Sequence, residues 1–279
     1  MWDRLELYST IRSFLGNFFS RPLQEMKKLG HRESMILSGL FLSKFDKDGL
    51  DYLGFTSFSE AYNGMGYALG GKPASIKNYM QEFDPVFPNT RVGRHGRPMR
   101  DHCRVIMERF GKLPMEQFAA TLRPILEQTN LPEGMDEFLE FDEGNLENST
   151  FSKRLVTGIA AESFFATKFP SLTQFIGHTL DNVTRFGCGF DFRIQPETTT
   201  PFLAAEVKGL AAASGSIMMT EKEHRVAKHL GDRYFLCLVS NFSERPTLSI
   251  FQNPVNCGLE FSRQRKSQTV TSWHTRISA

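Results

Sequence analysis

Residues 187–208, which read GCGFDFRIQPETTTPFLAAEVK, decide the fold that the sequence predicts. The side chains of a β-strand point alternately to its two faces. In the first half of this stretch the apolar Phe190, Phe192 and Ile194 therefore share one face, and Asp191 and Arg193 share the other. The pattern predicts a strand that buries its apolar face and carries its acid on the opposite side.

The second half of the stretch repeats the pattern. Leu203, Ala205 and Val207 fall on one face, whereas Glu206 and Lys208 fall on the opposite face, two residues apart. The segment between the two halves is polar and bounded by prolines, which is typical of a connection between adjacent strands. We therefore predict two neighbouring strands that bring the charged residues of both halves together.

Asp191, Glu206 and Lys208 form a set that suits one kind of chemistry. Carboxylate oxygens are hard ligands, and Mg²⁺ binds through one or two carboxylates together with phosphate oxygens of a substrate. A divalent ion there would polarise a phosphodiester and activate water, while Lys208 would orient that water or stabilise the transition-state charge. The alternative is a surface hairpin with an exposed Glu206–Lys208 ion pair, which usually contributes less than about 1 kcal/mol.

The D…ExK pattern of these three residues resembles the PD-(D/E)xK nuclease superfamily, to which most type II restriction endonucleases belong. The similarity continues through TEKE at residues 220–223 and GDRYFLCLV at residues 231–239 to about Phe251. This run resembles the nuclease-like domain at the C-terminal end of plant NO VEIN proteins and in many bacterial restriction-associated proteins. The sequence departs from the superfamily pattern at Phe190, where proline is usual.

The resemblance implies a restriction-endonuclease-like domain with a central mixed sheet flanked by helices. It also implies that Asp191 and Glu206 hold Mg²⁺, for which Mn²⁺ can substitute, and that Lys208 is catalytic.

One further glutamate, Glu162, is a candidate for the same region. In a helix expected over residues 153–169, Leu155, Ile159 and Glu162 follow one face at helical spacing. Nucleases of the superfamily often carry a first-helix glutamate that reaches the metal, so the resemblance makes Glu162 a candidate catalytic residue and metal ligand. The alternative for Glu162 is a buried, hydrogen-bonded or edge glutamate. Glu223 follows Thr220 at the spacing of a capping box, so we predict a helix cap there and not a ligand.

The N-terminal part is expected to be mostly helical, and residues 55–83 predict a helix-turn-helix outline. Ser57 or Ser59 can cap a helix that runs to Leu69, two glycines turn the chain, and Pro73 suits the first turn of a second helix. The second helix of such a motif enters the major groove of DNA. The alternative is an ordinary helical hairpin with solvated polar residues. The residues expected to contact DNA are Lys72, Ser75, Lys77 and Asn78.

The following loop, over residues 84–98, is too rich in proline and glycine to be a continuous helix. Residues 72–112 contain nine Lys or Arg residues and four acids, whereas residues 133–147 contain seven acids and no base. This asymmetry favours a phosphate-facing surface beside a solvated linker, although a merely solvated basic loop is the alternative. The loop residues predicted to bind DNA are Arg91, Arg94, His95 and Arg97.

The length of 279 residues allows one large or two modest domains. The acidic stretch favours two, with a helical DNA-binding domain over residues 1–148 and a nuclease domain over residues 149–279. No apolar run approaches the about 20 residues that span a bilayer, and the short apolar N-terminal run is not typical of a secretory signal. We therefore expect a cytoplasmic protein. The four cysteines form no C-x-x-C pair, which disfavours a zinc finger.

The predicted function is Mg²⁺-dependent, sequence-specific cleavage of double-stranded DNA, as by a type II restriction endonuclease. Such enzymes usually cut palindromic sites as homodimers, so the resemblance implies a homodimer as well. One alternative is a nuclease that acts on modified DNA, in phage defence or in repair. Another is a non-catalytic DNA-binding protein that keeps the nuclease-like domain as a scaffold.

Overall fold

The structure is a computed structural model that describes residues 29–89, 91, 93, 96–127, 147–196 and 201–264, with only the backbone for residues 147–153. The predicted α+β fold is confirmed, because the N-terminal part is helical and a five-stranded mixed sheet lies in the C-terminal part. None of the helices in these ranges combines the length and the apolar character that crossing a membrane would need. The acidic stretch up to residue 146 lies outside the described residues.

Helices supply most of the described secondary structure. The expected helix over residues 33–45 is longer than predicted, and it kinks at Asp46, where the backbone is non-helical (φ 47°, ψ −129°). The helices are α1 (His31–Leu53), α2 (Phe58–Ala68), α3 (Pro73–Phe83), α4 (Asp101–Phe110), α5 (Met115–Leu126), α6 (Glu147–Lys168) and α7 (Glu221–Leu230).

The sheet has the strand order β1-β2-β3-β4-β5. Its strands are β1 (His178–Asn182), β2 (Phe192–Pro196), β3 (Leu203–Gly209), β4 (Tyr234–Ser240) and β5 (Thr247–Gln252). β3 and β4 are parallel, with α7 in the crossover between them, and the other pairs are antiparallel. The predicted pairing of the two strands within residues 187–208 is confirmed, and the register sets Phe192 opposite Ala205. Strand β1 was not anticipated.

The helical part and the sheet share one hydrophobic core, which runs from α1 through α6 to the inner face of the sheet. The Tyr67 ring of α2 meets the Phe164 ring of α6 edge-on, with centroids 5.0 Å apart. The Asn63 side chain, also on α2, donates hydrogen bonds to the carbonyls of Phe242 (2.7 Å) and Glu244 (2.9 Å), in the connection between β4 and β5. The division into two domains at residue 148 stays a prediction.

Asn63→Ala tests the contact between α2 and the β4–β5 connection. Removing the buried amide leaves the two carbonyls without their donor, so the free energy of unfolding should fall by about 1–3 kcal/mol. Urea unfolding followed by circular dichroism measures it, and the exposed Asn256→Ala is the matched control, expected to stay within about 0.5 kcal/mol of the parent. An Asn63→Ala protein as stable as its control would contradict a stabilising role for the Asn63 hydrogen bonds.

Candidate active site

Asp191 stands at the entrance to β2, directly after a turn that requires glycine. Gly189 has a φ of 93°, and a Cβ at this position would lie 3.0 Å from the Val226 side chain, so a side chain there would be both strained and crowded. The Asp191 amide donates to the Ala205 carbonyl (3.0 Å), and Asp191 Oδ2 accepts from the Val207 amide (2.9 Å). The carboxylate is therefore fixed against the neighbouring strand by backbone hydrogen bonds.

The turn also corrects one prediction. Phe190 does not share a face with Phe192 and Ile194, because the left-handed glycine ends the strand alternation before β2 begins. Phe192 and Ile194 pack into the main core, whereas Phe190 packs in a small separate cluster with Ala204.

Strand β3 places Glu206 and Lys208 as its alternation predicts. Ala205 and Val207 lie in the main core, and Glu206 lies on the opposite face, where the residue is only 3% exposed. Lys208 Nζ donates to Glu206 Oε1 at 2.5 Å, and the two side chains are 21% and 4% exposed. This burial rules out the alternative of an exposed ion pair on a surface hairpin.

Burial and neighbouring charges shift the pKa values of the charged side chains in this site. It raises the pKa of Asp191, against the stabilising hydrogen bond from the Val207 amide. Burial, together with the nearby Asp191 charge, raises the pKa of Glu206 to about 8. Burial alone would lower the pKa of Lys208, but Glu206 and Glu223 raise it above the ordinary value. The site therefore holds more carboxylates than its single ammonium group can offset.

Helix α6 supplies the third predicted carboxylate, Glu162. Thr184 Oγ1 lies 3.5 Å from Glu162 Oε2, and burial followed by the Asp191 charge raises the pKa of Glu162 to about 7. The helical stripe used to find it was partly wrong, because Leu155 is exposed at 36%. The buried positions of α6 are Val156, Ala160, Ala161, Phe164 and Phe165.

The donor set fits a Mg²⁺ ion of the kind that uses two protein carboxylates. Within the described part of the chain, no three His, Cys, Asp or Glu side chains form an arrangement that could hold a metal ion by themselves. Mg²⁺ commonly takes one or two carboxylates and completes its shell with water and substrate phosphate oxygens. Asp191, just before β2, and Glu206, on β3, carry such oxygens. Binding of Mg²⁺ by these two residues and by Glu162 stays a prediction.

The two helices predicted over residues 55–83 are present as α2 and α3, and their role as a DNA-binding helix-turn-helix stays a prediction. Ser57 caps α2 by accepting from the Glu60 amide (3.1 Å), and Pro73 is the first residue of α3. At the start of α3, Lys72, Lys77 and Asn78 are exposed and Ser75 is half-buried. Their contact with DNA stays a prediction.

Two arginines of the basic loop are engaged with acids of the helical part. Arg91 forms ion pairs with Asp46 and with the fully buried Asp84 side chain, and both Arg97 nitrogens reach the buried Glu82 carboxylate at 2.7 and 2.8 Å. A buried carboxylate is costly without a partner, and the two arginines supply that partner. The ion pairs therefore hold the loop against the helices. Arg94 and His95 lie outside the described residues, so DNA binding by this loop stays a prediction.

Glu223 makes two contacts, of which the sequence predicted only one. The predicted capping box is present: the Thr220 hydroxyl accepts from the Glu223 amide (3.2 Å), and Glu223 Oε2 accepts from the Thr220 amide (2.9 Å). The same Oε2 also accepts from Lys208 Nζ at 2.9 Å. The capping spacing identified the local contact, but nothing in the sequence indicated the second one.

The turn Thr184–Phe186 next to the carboxylates was also missed. Thr184 contacts Glu162, and its hydroxyl also lies 3.4 Å from the Asp191 carbonyl. The next two residues point outward: Arg185 is exposed, the Phe186 residue is 65% exposed, and the guanidinium lies 4.8 Å from the ring centroid. A cation and an aromatic ring are therefore presented beside the site.

The raised pKa of Glu206 predicts how metal-free stability depends on pH. Between its ordinary pKa of 4.5 and about 8, the folded protein holds a proton that the unfolded chain releases, so the free energy of unfolding falls as pH rises through this window. Glu206→Gln removes this contribution. Relative to the parent, it should be more stable at about pH 8.5 than at about pH 5, by at least about 1 kcal/mol.

Urea unfolding in EDTA at the two pH values measures this difference. Glu108→Gln, at an exposed glutamate of α4, is the control for loss of a surface carboxyl group. A Glu206→Gln effect that is the same at both pH values would contradict the assigned environment.

Part of the chain is similar to a known protein family. The family model described as "Protein NO VEIN, C-terminal" matches residues 160–251. The matched segment contains Glu162, Asp191, Glu206, Lys208 and Glu223, which are the charged residues of the candidate site. No curated protein and no solved structure matches the chain. The match indicates a nuclease-like or DNA-related domain in this part of the chain.

Proposed function

We propose that the chain is a metal-dependent endonuclease that hydrolyses phosphodiester bonds in double-stranded DNA. The observation that carries the proposal is the arrangement of three side chains beside β3. Asp191, just before β2, accepts from the Val207 amide of β3, and the buried Glu206 pairs with Lys208 on β3. The pKa values of Asp191 and Glu206 are raised mainly by burial, and shifts of this kind are typical of functional sites. The match of residues 160–251 to the NO VEIN C-terminal family supports a nuclease-like role.

In this proposal Asp191 and Glu206 hold Mg²⁺ or Mn²⁺, and Glu162 contributes from α6. The bound ion supplies Lewis-acid polarisation of the phosphodiester and a lower pKa for the attacking water. The Val207 amide keeps Asp191 oriented through its 2.9 Å hydrogen bond. Burial of Glu206 limits competing water at its carboxylate, which strengthens its interaction with a cation.

Lys208 acts as a donor and not as a base. Its neighbours Glu206 and Glu223 hold its pKa above the ordinary value, so the ammonium group keeps its proton at neutral pH. A protonated lysine can donate a hydrogen bond to the attacking water or to a phosphate oxygen, where charge develops in the transition state. Proton removal from the water then falls to another group or to solvent.

Glu206→Ala and Lys208→Ala test the proposal. Each should lower Mg²⁺-dependent cleavage of plasmid DNA at least about a hundredfold, because each removes a group that acts on the transition state. DNA affinity, measured by gel shift, should stay largely unchanged. Circular dichroism checks the fold, and Glu108→Ala and Lys47→Ala are controls that remove exposed charges.

Two outcomes would count against the nuclease assignment. One is cleavage by the parent that continues in EDTA and in both site variants. The other is tight DNA binding by the parent without cleavage in Mg²⁺ or Mn²⁺, which would favour the non-catalytic DNA-binding alternative.

The finer proposal is a type II restriction endonuclease that cuts at a defined sequence as a homodimer. Its support is the resemblance of the D…ExK residues to enzymes of that kind. Mapping the cut ends of a digested plasmid library tests site specificity, and methylated DNA digested in parallel separates restriction of modified bases. Sedimentation equilibrium tests the dimer. Lys72, Ser75, Lys77 and Asn78 are the proposed base-reading residues.

The Thr184–Phe186 turn is proposed to hold the nucleotide strand beside the cleaved phosphate. An exposed arginine neutralises a phosphate, and an aromatic ring stacks on a base with about 1–3 kcal/mol. Arg185→Ala/Phe186→Ala should therefore weaken DNA binding about tenfold or more and reduce the salt dependence by about one phosphate contact. Fluorescence anisotropy at several salt concentrations measures both, with Lys47→Ala as control. Unchanged affinity and slope would remove the turn from the DNA surface.

A further inference from the structure

Two carboxylates, those of Glu206 and Glu223, hold the Lys208 ammonium group. In the proposed function Glu206 binds a metal ion, so only Glu223 remains to hold it. Lys208 Nζ lies 2.5 Å from Glu206 Oε1 and 2.9 Å from Glu223 Oε2. A Glu206 carboxylate that binds a metal ion has less negative charge to offer the ammonium group. The contact that remains for Lys208 is then the one with Glu223.

Glu223 is well suited to hold a partner in a fixed place. It is the third residue of α7, and its Oε2 also accepts from the Thr220 amide at 2.9 Å. The Glu223 side chain is only 15% exposed. A carboxylate fixed by a backbone amide and largely shielded from water has few alternative positions, so it presents the lysine with one defined anchor.

The first turn of α7 is in turn fixed to the segment that precedes Asp191. Lys222 donates to the Gly187 carbonyl, and Gly189 allows Val226 to approach within a distance that a side chain would obstruct. On its inner side α7 buries Ala227 against Ala204 and Tyr234. The helix therefore connects the anchor of Lys208 to the turn that positions Asp191.

We propose that Glu223 is a positioning residue that holds the Lys208 ammonium group in place while Glu206 engages the metal. The catalytic meaning of this inference rests on the proposed nuclease function. The contact itself does not, because it can be tested in the metal-free protein. The competing explanation is that Glu223 serves only as the cap of α7.

Two substitutions separate the two roles. Glu223→Gln keeps an oxygen that can accept from the Thr220 amide, since glutamine is also found in capping boxes, but it removes the negative charge beside Lys208. Thr220→Ala removes the other half of the box, the hydroxyl that accepts from the Glu223 amide, and leaves the charge in place. The pair thus divides the ion-pair role from the cap role.

The first test is a double-mutant cycle on thermal unfolding in EDTA. The melting-temperature changes caused by Glu223→Gln and Lys208→Met should not add: Glu223→Gln should lower the melting temperature by a few degrees in the parent and clearly less in the Lys208→Met background. Thr220→Ala and Lys208→Met should add. Additive changes for Glu223 and Lys208 would overturn the inference whether or not the protein cleaves DNA.

The second test is steady-state cleavage of a defined DNA duplex in Mg²⁺. Glu223→Gln should lower kcat roughly ten- to hundredfold with little change in KM, because a displaced donor costs transition-state stabilisation and not binding. Thr220→Ala should keep the kcat of the parent. A Glu223→Gln protein with the kcat of the parent would overturn the positioning role and leave the nuclease proposal standing. A parent without cleavage would instead refute the nuclease function, and the unfolding cycle would still decide the Glu223–Lys208 contact.

Discussion

Acidic side chains largely shielded from water beside the middle of the sheet are the constraint on which the rest of the candidate site depends. Asp191 lies half-buried just before β2, Glu206 lies buried on β3, and the ammonium group of Lys208 pairs with Glu206. Burying an ionised group is costly unless it is paired and hydrogen-bonded. The raised pKa values of Asp191 and Glu206 reflect that cost, and the proposed divalent cation would relieve it.

The fold supplies the parts of this site from several independent elements. The antiparallel pairing of β2 with β3 brings Asp191, just before β2, to the Val207 amide next to Glu206, and the parallel β4 pairs with the other edge of β3. Helix α6 is held by the shared core and brings Glu162 to the same region. Helix α7 brings Glu223 to Lys208. Because each part rests on a different packing contact, the site is fixed by the tertiary structure and not by one loop.

The sequence predicted the features that depend on local periodicity. Alternation placed Glu206 and Lys208 on one face of β3, and the capping box and the proline at the start of α3 followed from short-range rules. What the sequence did not reveal depended on backbone conformation or on distant partners. A left-handed glycine interrupted the alternation at Phe190. The pairing of Arg91 and Arg97 with Asp84 and Glu82 depended on how the loop folds back on α3.

The most direct test of the central claim is anomalous diffraction from crystals soaked in Mn²⁺, because the manganese signal identifies the ion without reference to activity. The account predicts one strong peak within about 2–2.5 Å of carboxylate oxygens of both Asp191 and Glu206, the distance range of oxygen ligands to such ions. Crystals of Asp191→Asn protein should lose the peak. Manganese that binds elsewhere, or no peak at this site at millimolar concentrations, would contradict the account.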